Sequence, residues 1–179
     1  MQFFNQNINP IKLNPMKNIK AYGTYSATED LQPMQIERRN VQSKDVEIEI
    51  LYCGVCHSDI HTARNEWGSA KYPVVPGHEI IGEVINIGNE FSNFKIGDIV
   101  GVGCMVDSCR NCESCEQGLE QYCESGAIMT YGGKDKHLGG HTLGGYSEKI
   151  VVDEDFVLRI PKNLDISKVA PLLCAGITT

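Results

Sequence analysis

Apolar and polar residues alternate with period two along DVEIEILY, Asp45 to Tyr52. Val46, Ile48, Ile50 and Tyr52 fall on one face, Glu47 and Glu49 on the other. Successive strand side chains point to opposite sides, so this predicts a half-buried strand with the first four facing a core. His78 to Gly88, Gly97 to Gly103 and Tyr146 to Val152 read the same way, and Phe156 to Pro161 adds a short strand. Glycine or proline punctuates these segments at turn-like intervals. Helix is expected in SDIHTAR, with Ser58 as its N-cap, and in a segment opening near Ser167, again a good N-cap residue. The predicted fold class is mainly β with short helices, a barrel-like domain without internal repeats.

Charge narrows the function classes. Lys plus Arg number 16 against 23 Asp plus Glu, a net charge of -7. A sequence-independent nucleic-acid binder or an anionic-membrane binder needs a basic face, so neither partner is expected. No apolar run reaches transmembrane length. The Asn-rich start, MQFFNQNINPIKLNPMKN, lacks the continuous apolar stretch of a signal peptide and reads as a loose extension. Eight cysteines without a secretion signal point to a reducing, cytoplasmic setting, where metal ligation is a stronger reading than disulfides.

Five of those cysteines lie between Cys104 and Cys123. CRNCESCEQGLEQYC places Cys109, Cys112, Cys115 and Cys123 as C-x2-C-x2-C-x7-C. Cysteines three apart can turn both sulfurs to one point, and four thiolates close a tetrahedral zinc site with no open position. Such a site is structural: it supplies folding energy to a loop too small for its own core. Gly118 lets the longer segment turn back. A ferredoxin-type iron–sulfur cluster is the rival, but its fourth cysteine follows after three residues and precedes proline. Here the gap is seven and Glu124 follows, which favours zinc.

A second set is dispersed. CGVCHSDIH holds Cys56, His57, Ser58, Asp59 and His61; VVPGHEIIGE holds His78 and Glu79; Cys174 lies far downstream. Distant single residues have no diagnostic spacing, and each alone reads as an ordinary core or surface residue.

Together with YPVVPGHEIIGEV, GDIVGVGCMVDSCRNCESCEQGLEQYC, GGHTLGGYSEKIVV and APLLCAGITT, those stretches resemble the N-terminal part of zinc-dependent medium-chain alcohol dehydrogenases. Within that family the similarity is to the cinnamyl alcohol dehydrogenase branch and bacterial NADP-dependent aldehyde reductases. The resemblance implies an N-terminal extension (1–18), a GroES-like catalytic barrel (19–166) with its zinc lobe (104–124), and the start of an interdomain hinge (167–179). It implies Cys56, His78 and Cys174 as ligands of a catalytic zinc. Glu79 matches a glutamate that can approach that metal, and otherwise reads as a strand-start carboxylate. Asp59 matches the carboxylate that hydrogen-bonds the ligand histidine. Ser58 and His61 match a proton relay, a hydroxyl followed by a group titrating near neutral pH. His57 matches a contact to the cofactor pyrophosphate. Trp67 matches a substrate-pocket wall, though a lone tryptophan commonly belongs to a core. Cys53 and Cys104 match no ligand position and read as small buried apolar residues.

The implied chemistry is hydride transfer between NADP(H) and a primary alcohol or aldehyde, with two zinc ions, one catalytic and one structural. The expected dinucleotide signature is a strand, a glycine-rich turn and a helix N-terminus. No G-x-G-x-x-G stands in that context here; HLGGHTLGGYSE runs into a strand. In the family the Rossmann domain, which usually also carries the homodimer contacts, follows the stretch matching APLLCAGITT. These residues are therefore expected to be inactive alone. The alternative is a standalone zinc-binding or partner-binding module without catalysis.

Overall fold

The computed structural model describes residues 16–90 and 92–179; the expected extension lies almost wholly outside them. The strands are β1 (Lys17–Gly23), β2 (Gln32–Arg38), β3 (Asp45–Cys53), β4 (Ile80–Ile87), β5 (Ile99–Val102), β6 (Met105–Asp107), β7 (Ile128–Met129), β8 (Lys149–Asp153) and β9 (Leu158–Arg159). The short helices are α1 (His57–Ala63), α2 (Glu113–Glu116) and α3 (Ala175–Thr178). The fold is mainly β, as the alternation predicts.

An antiparallel sheet ordered β8-β3-β4-β5-β9 carries the main core. Val46, Ile48, Ile80, Val84, Val100, Val102, Ile150 and Val152 all turn inward there. Two features depart from simple alternation. Glu47 is buried, because Lys17 reaches across from β1 and pairs with it at 2.7 Å. Tyr52 is exposed, because a register shift between Ile50 and Tyr52 breaks the two-residue phase.

The β1–β2 hairpin was not predicted. Its strands bury Ile19, Ala21, Met34 and Ile36 against Val75. Arg38, at its end, donates to the carbonyls of Leu143, Gly144 and Lys149 and to Ser147 Oγ. Those bonds fix the segment that leads into β8.

Both helix starts differ from expectation. The N-cap of α1 is Cys56, not Ser58, since the Asp59 carboxylate accepts the Cys56 N–H at 2.9 Å. Ser167 caps no helix: its N–H and hydroxyl both donate to Asp165 Oδ1 in a turn. Helical structure begins later, as a 3-10 turn over Ala170–Leu173 that packs on Ile81. Cys174 sits at the junction between that turn and α3. Leu172 and Ile177 remain exposed.

Candidate metal centres

Three separate segments deliver one cluster. The N-terminus of α1 presents Cys56, the turn before β4 presents His78 and Glu79, and the junction before α3 presents Cys174. One ligand atom from each lies within 4.8 Å of the other three. Cys56 Sγ and Cys174 Sγ are 3.9 Å apart. Metal–sulfur bonds of about 2.3 Å in a tetrahedron set sulfurs about 3.8 Å apart, so the pair spans one metal.

The turn needs its glycines. Gly77 has φ +105°, and a Cβ there would stand 2.8 Å from Cys53 Sγ and from Tyr146 N. At Gly54 an added Cβ would fall on Glu79 Oε2.

Asp59 is the hub behind the ligands and is itself buried. It accepts the N–H groups of Cys56 and Gly77, the Tyr146 hydroxyl at 2.9 Å, and His78 Nδ1 at 3.3 Å. That last contact leaves His78 Nε2 as the free ring nitrogen. Burial pushes the Asp59 carboxyl up, but the His78 contact and the two backbone donors outweigh it and hold it low. Burial likewise works against a charged His78; Asp59, with Cys104 and Cys174, overrides it and raises the imidazole to about 12. Glu79 Oε2 is a buried oxygen without a hydrogen-bond partner, and burial raises that carboxyl. An oxygen in that position fits a donor set for a bound cation.

The second cluster is local. Cys109, Cys112, Cys115 and Cys123 bring their sulfurs within 4.8 Å of one another, and Cys109 Sγ and Cys115 Sγ are 3.9 Å apart. Backbone N–H groups are already aimed at sulfur, Cys109 N at Cys123 and Glu124 N at Cys112, each at 3.4 Å. The Asn111 N–H heads the influences that lower the Cys109 thiol to about 6. None of the eight cysteines is in a disulfide.

This geometry agrees with the family comparison, in which the profile of the alcohol dehydrogenase GroES-like domain matches residues 42–162. The chain belongs to that family. It is 56% identical over 162 residues to the aldehyde reductase YahK of Escherichia coli, covering 90% of this chain and 46% of that protein. It is also 56% identical over 165 residues to the NADP-dependent alcohol dehydrogenase C of Mycobacterium bovis, covering 91% and 47%. Among solved structures, a Sorghum bicolor cinnamyl alcohol dehydrogenase superposes with a TM-score of 0.87 at 47% identity, over 90% of this chain and 46% of that one. A Helicobacter pylori cinnamyl alcohol dehydrogenase complexed with NADP(H) gives 0.87 at 46% identity, over 92% and 47%. The chain spans about half the length of the relatives it matches, and no Rossmann domain lies within it.

In this GroES-like domain three of the four remaining predicted residues border one cavity of about 370 Å³. Ser58, His61 and Trp67 line it with His78, Cys104 and Cys174. Trp67 is 60% exposed, so it is a wall and not a core residue. His61 stacks 5.1 Å from Trp67, and its Nδ1 meets Glu66 Oε2. Among the described residues no hydrogen bond joins Ser58 to His61. His57 is exposed outside the cavity, its ring 5.5 Å from His61.

Three features escaped the sequence reading. Cys104 is not buried packing: it faces the cavity beside His78 and Cys174. Tyr131 sets its ring 5.4 Å from His78. Tyr146 holds Asp59, and the only hint was its place inside GGYSEKIVV. Cys53 is partly buried against the main core, and burial pushes its thiol up to about 12. Among the described residues no helix is long and apolar enough to cross a membrane.

Proposed function

We propose that this chain is the zinc-binding catalytic part of an NADP(H)-dependent alcohol dehydrogenase or aldehyde reductase acting on small primary alcohols and aldehydes. The observation that carries the reading is the donor contrast. The lobe closes on itself with four sulfurs, whereas the mixed cluster of Cys56, His78 and Cys174 opens onto a cavity. In the proposed assignment the lobe holds a structural zinc and the mixed cluster a catalytic one.

When bound, the catalytic zinc supplies Lewis acidity toward a substrate oxygen, and the nicotinamide supplies or takes the hydride. Everything else falls to this chain. Asp59 fixes the His78 ring so that Nε2 faces the two sulfurs, and its charge makes the imidazole a stronger donor. Glu79 brings a carboxylate within reach of the same point. In this reading the Ser58 hydroxyl exchanges a proton with the substrate oxygen, and His61, steadied by Glu66 on the same cavity wall, exchanges one with solvent, with a hydroxyl or water in the cavity required to connect the two. Trp67, Met129 and Tyr131 give the cavity the apolar walls that an organic substrate requires. His57, exposed at the α1 terminus, is placed to meet an anionic cofactor group.

Metal analysis tests the reading. The purified chain should carry two zinc ions and be colourless; Cys174→Ser should carry one, with the lobe intact. A single zinc confined to the lobe would overturn the catalytic assignment in favour of a standalone zinc module. Visible iron–sulfur absorption would overturn the choice of metal.

A further inference from the structure

Arg110 stands between the first two cysteines of the lobe, yet its side chain serves none of the four sulfurs. Its backbone adopts φ +63°, a left-handed conformation that residues with a side chain seldom enter. The lobe's other left-handed residue, at φ +72°, is Gly118, the usual choice. An arginine in such a position implies that its side chain is needed.

The guanidinium turns away from the four sulfurs and bridges the base of the lobe to the barrel. Nε and Nη2 each lie 3.0 Å from Asp107 Oδ1 on β6. Nη1 lies 2.9 Å from Asp153 Oδ2 and 3.0 Å from Asp155 Oδ2, at the end of β8 and in the 3-10 turn Glu154–Phe156. The cation also rests over the Phe156 ring, 5.4 Å from its centroid. Asp107 and Asp153 are largely buried, with side chains 8% and 16% exposed, so these are charge-assisted bonds of limited solvation. On the far side of Asp107, Lys136 Nζ closes the network at 2.5 Å.

We propose that Arg110 is a positioning residue that clasps the four-cysteine lobe to the barrel and so governs how slowly the lobe gives up its metal. The proposal rests on the reading of that lobe as a metal site. A closed four-sulfur site releases its ion only when the loop opens enough for water or a competing ligand to reach it. Asp153 and Asp155 hold the loop through Arg110, which makes opening a motion against the barrel and not a local fluctuation.

The test is the rate at which 4-(2-pyridylazo)resorcinol strips zinc from the purified chain, with the lobe phase identified by its loss in Cys109→Ser. Arg110→Gln should speed that phase about tenfold, the scale of losing a hydrogen bond to a charged group. Arg110→Lys should restore part of the slowing. Asp153→Asn, outside the lobe, should speed the same phase, and the Arg110→Gln/Asp153→Asn double variant should be no faster than Arg110→Gln. High salt should accelerate release from the wild type more than from Arg110→Gln. A role in mere packing would leave the salt dependence and the double-variant coupling absent.

An Arg110→Gln lobe that releases at the wild-type rate overturns the clasp, as does a double variant whose effects multiply. If Arg110→Gln does not fold, Asp153→Asn decides alone by the same rate criterion. A chain whose zinc content is unchanged by Cys109→Ser overturns the metal reading of the lobe, and the clasp with it. Normal content with unchanged rates overturns only the clasp.

Discussion

The four-sulfur lobe draws its donors from one stretch, Cys109 to Cys123, whereas the mixed cluster gathers Cys56, His78 and Cys174 from three segments spread across the barrel. The lobe has no apolar core of its own; Asp107, Ser108, Cys115 and Cys123 are its buried residues, and its helices are single turns. On the proposed assignment its order comes from the metal and from the contacts of Arg110 and Asp107. The mixed cluster is held before any metal arrives. The 3-10 turn Ala170–Leu173 packs on the main sheet at Ile81, Asp59 ties α1 to the turn before β4, and Gly54 N–H donates to the Glu79 carbonyl. On the proposed assignment the metal makes the structure in the lobe, whereas the structure makes the metal site in the mixed cluster.

That contrast predicts unequal consequences for equal substitutions. The largest effect belongs to Cys109→Ser. Removing one sulfur should cost the lobe its zinc and, because binding and folding there are one event, its structure as well. Hydrogen exchange over residues 104–130 should approach that of an unfolded peptide, while β3 and β4 keep their protection. A lobe that stays protected without metal would break the comparison.

Asp59→Asn should come next. Cys56 N–H donates to one carboxylate oxygen and Gly77 N–H to the other, so the amide, with a single oxygen, keeps only one of these two bonds, and it no longer charges the acceptor facing His78 Nδ1. Zinc affinity at the mixed cluster should fall about 10–100-fold, the usual scale for a carboxylate behind a ligand histidine. Competition with a chelator would measure this, with the lobe zinc as internal standard. Equal weakening at both sites would mean that Asp59 acts on the fold and not on His78.

How much of each cluster was legible follows from the same contrast. The lobe could be read from spacing because its donors are neighbours in the chain, and the spacing is the geometry. Cys56, His78 and Cys174 have no informative separation; only similarity to a family grouped them, and only the fold shows their atoms within 4.8 Å. β3 was legible because Val46 and Ile48 alternate with Asp45, Glu47 and Glu49, and β4 and β5 because their branched apolar residues stand between glycine-marked turns. Tyr52 was misplaced because a bulge leaves no sequence mark. Glu47 was misplaced because its burial depends on Lys17, a partner thirty residues away. The β1–β2 hairpin was missed because KNIKAYG puts only Ile19 and Ala21 on its inner face, too weak an alternation to stand out. Ser58 looked like the cap because serine favours that position, but Asp59 reaches back to the Cys56 N–H and moves the helix start forward.

The smallest expected effect sharpens the comparison most, because it removes one atom far along the chain from any ligand. Tyr146→Phe keeps the ring and deletes the hydroxyl that donates to Asp59 Oδ2 at 2.9 Å. Asp59 retains three other donors, so the loss should be about 1 kcal/mol, roughly fivefold in zinc affinity at the mixed cluster. The sign of the pH effect follows. The Asp59 carboxyl is held low in the folded chain, so its contribution is present above its unfolded pKa and is lost as pH falls through the folded value. With one donor fewer that folded value rises, and in the metal-free chain the acid loss of stability should begin at higher pH than in the wild type. The lobe, which has no link to Tyr146, should release its zinc at an unchanged rate. An acid transition that stays in place would show that Cys56 N, Gly77 N and His78 satisfy Asp59 unaided, and that the segment fixed by Arg38 reaches the mixed cluster without steadying it.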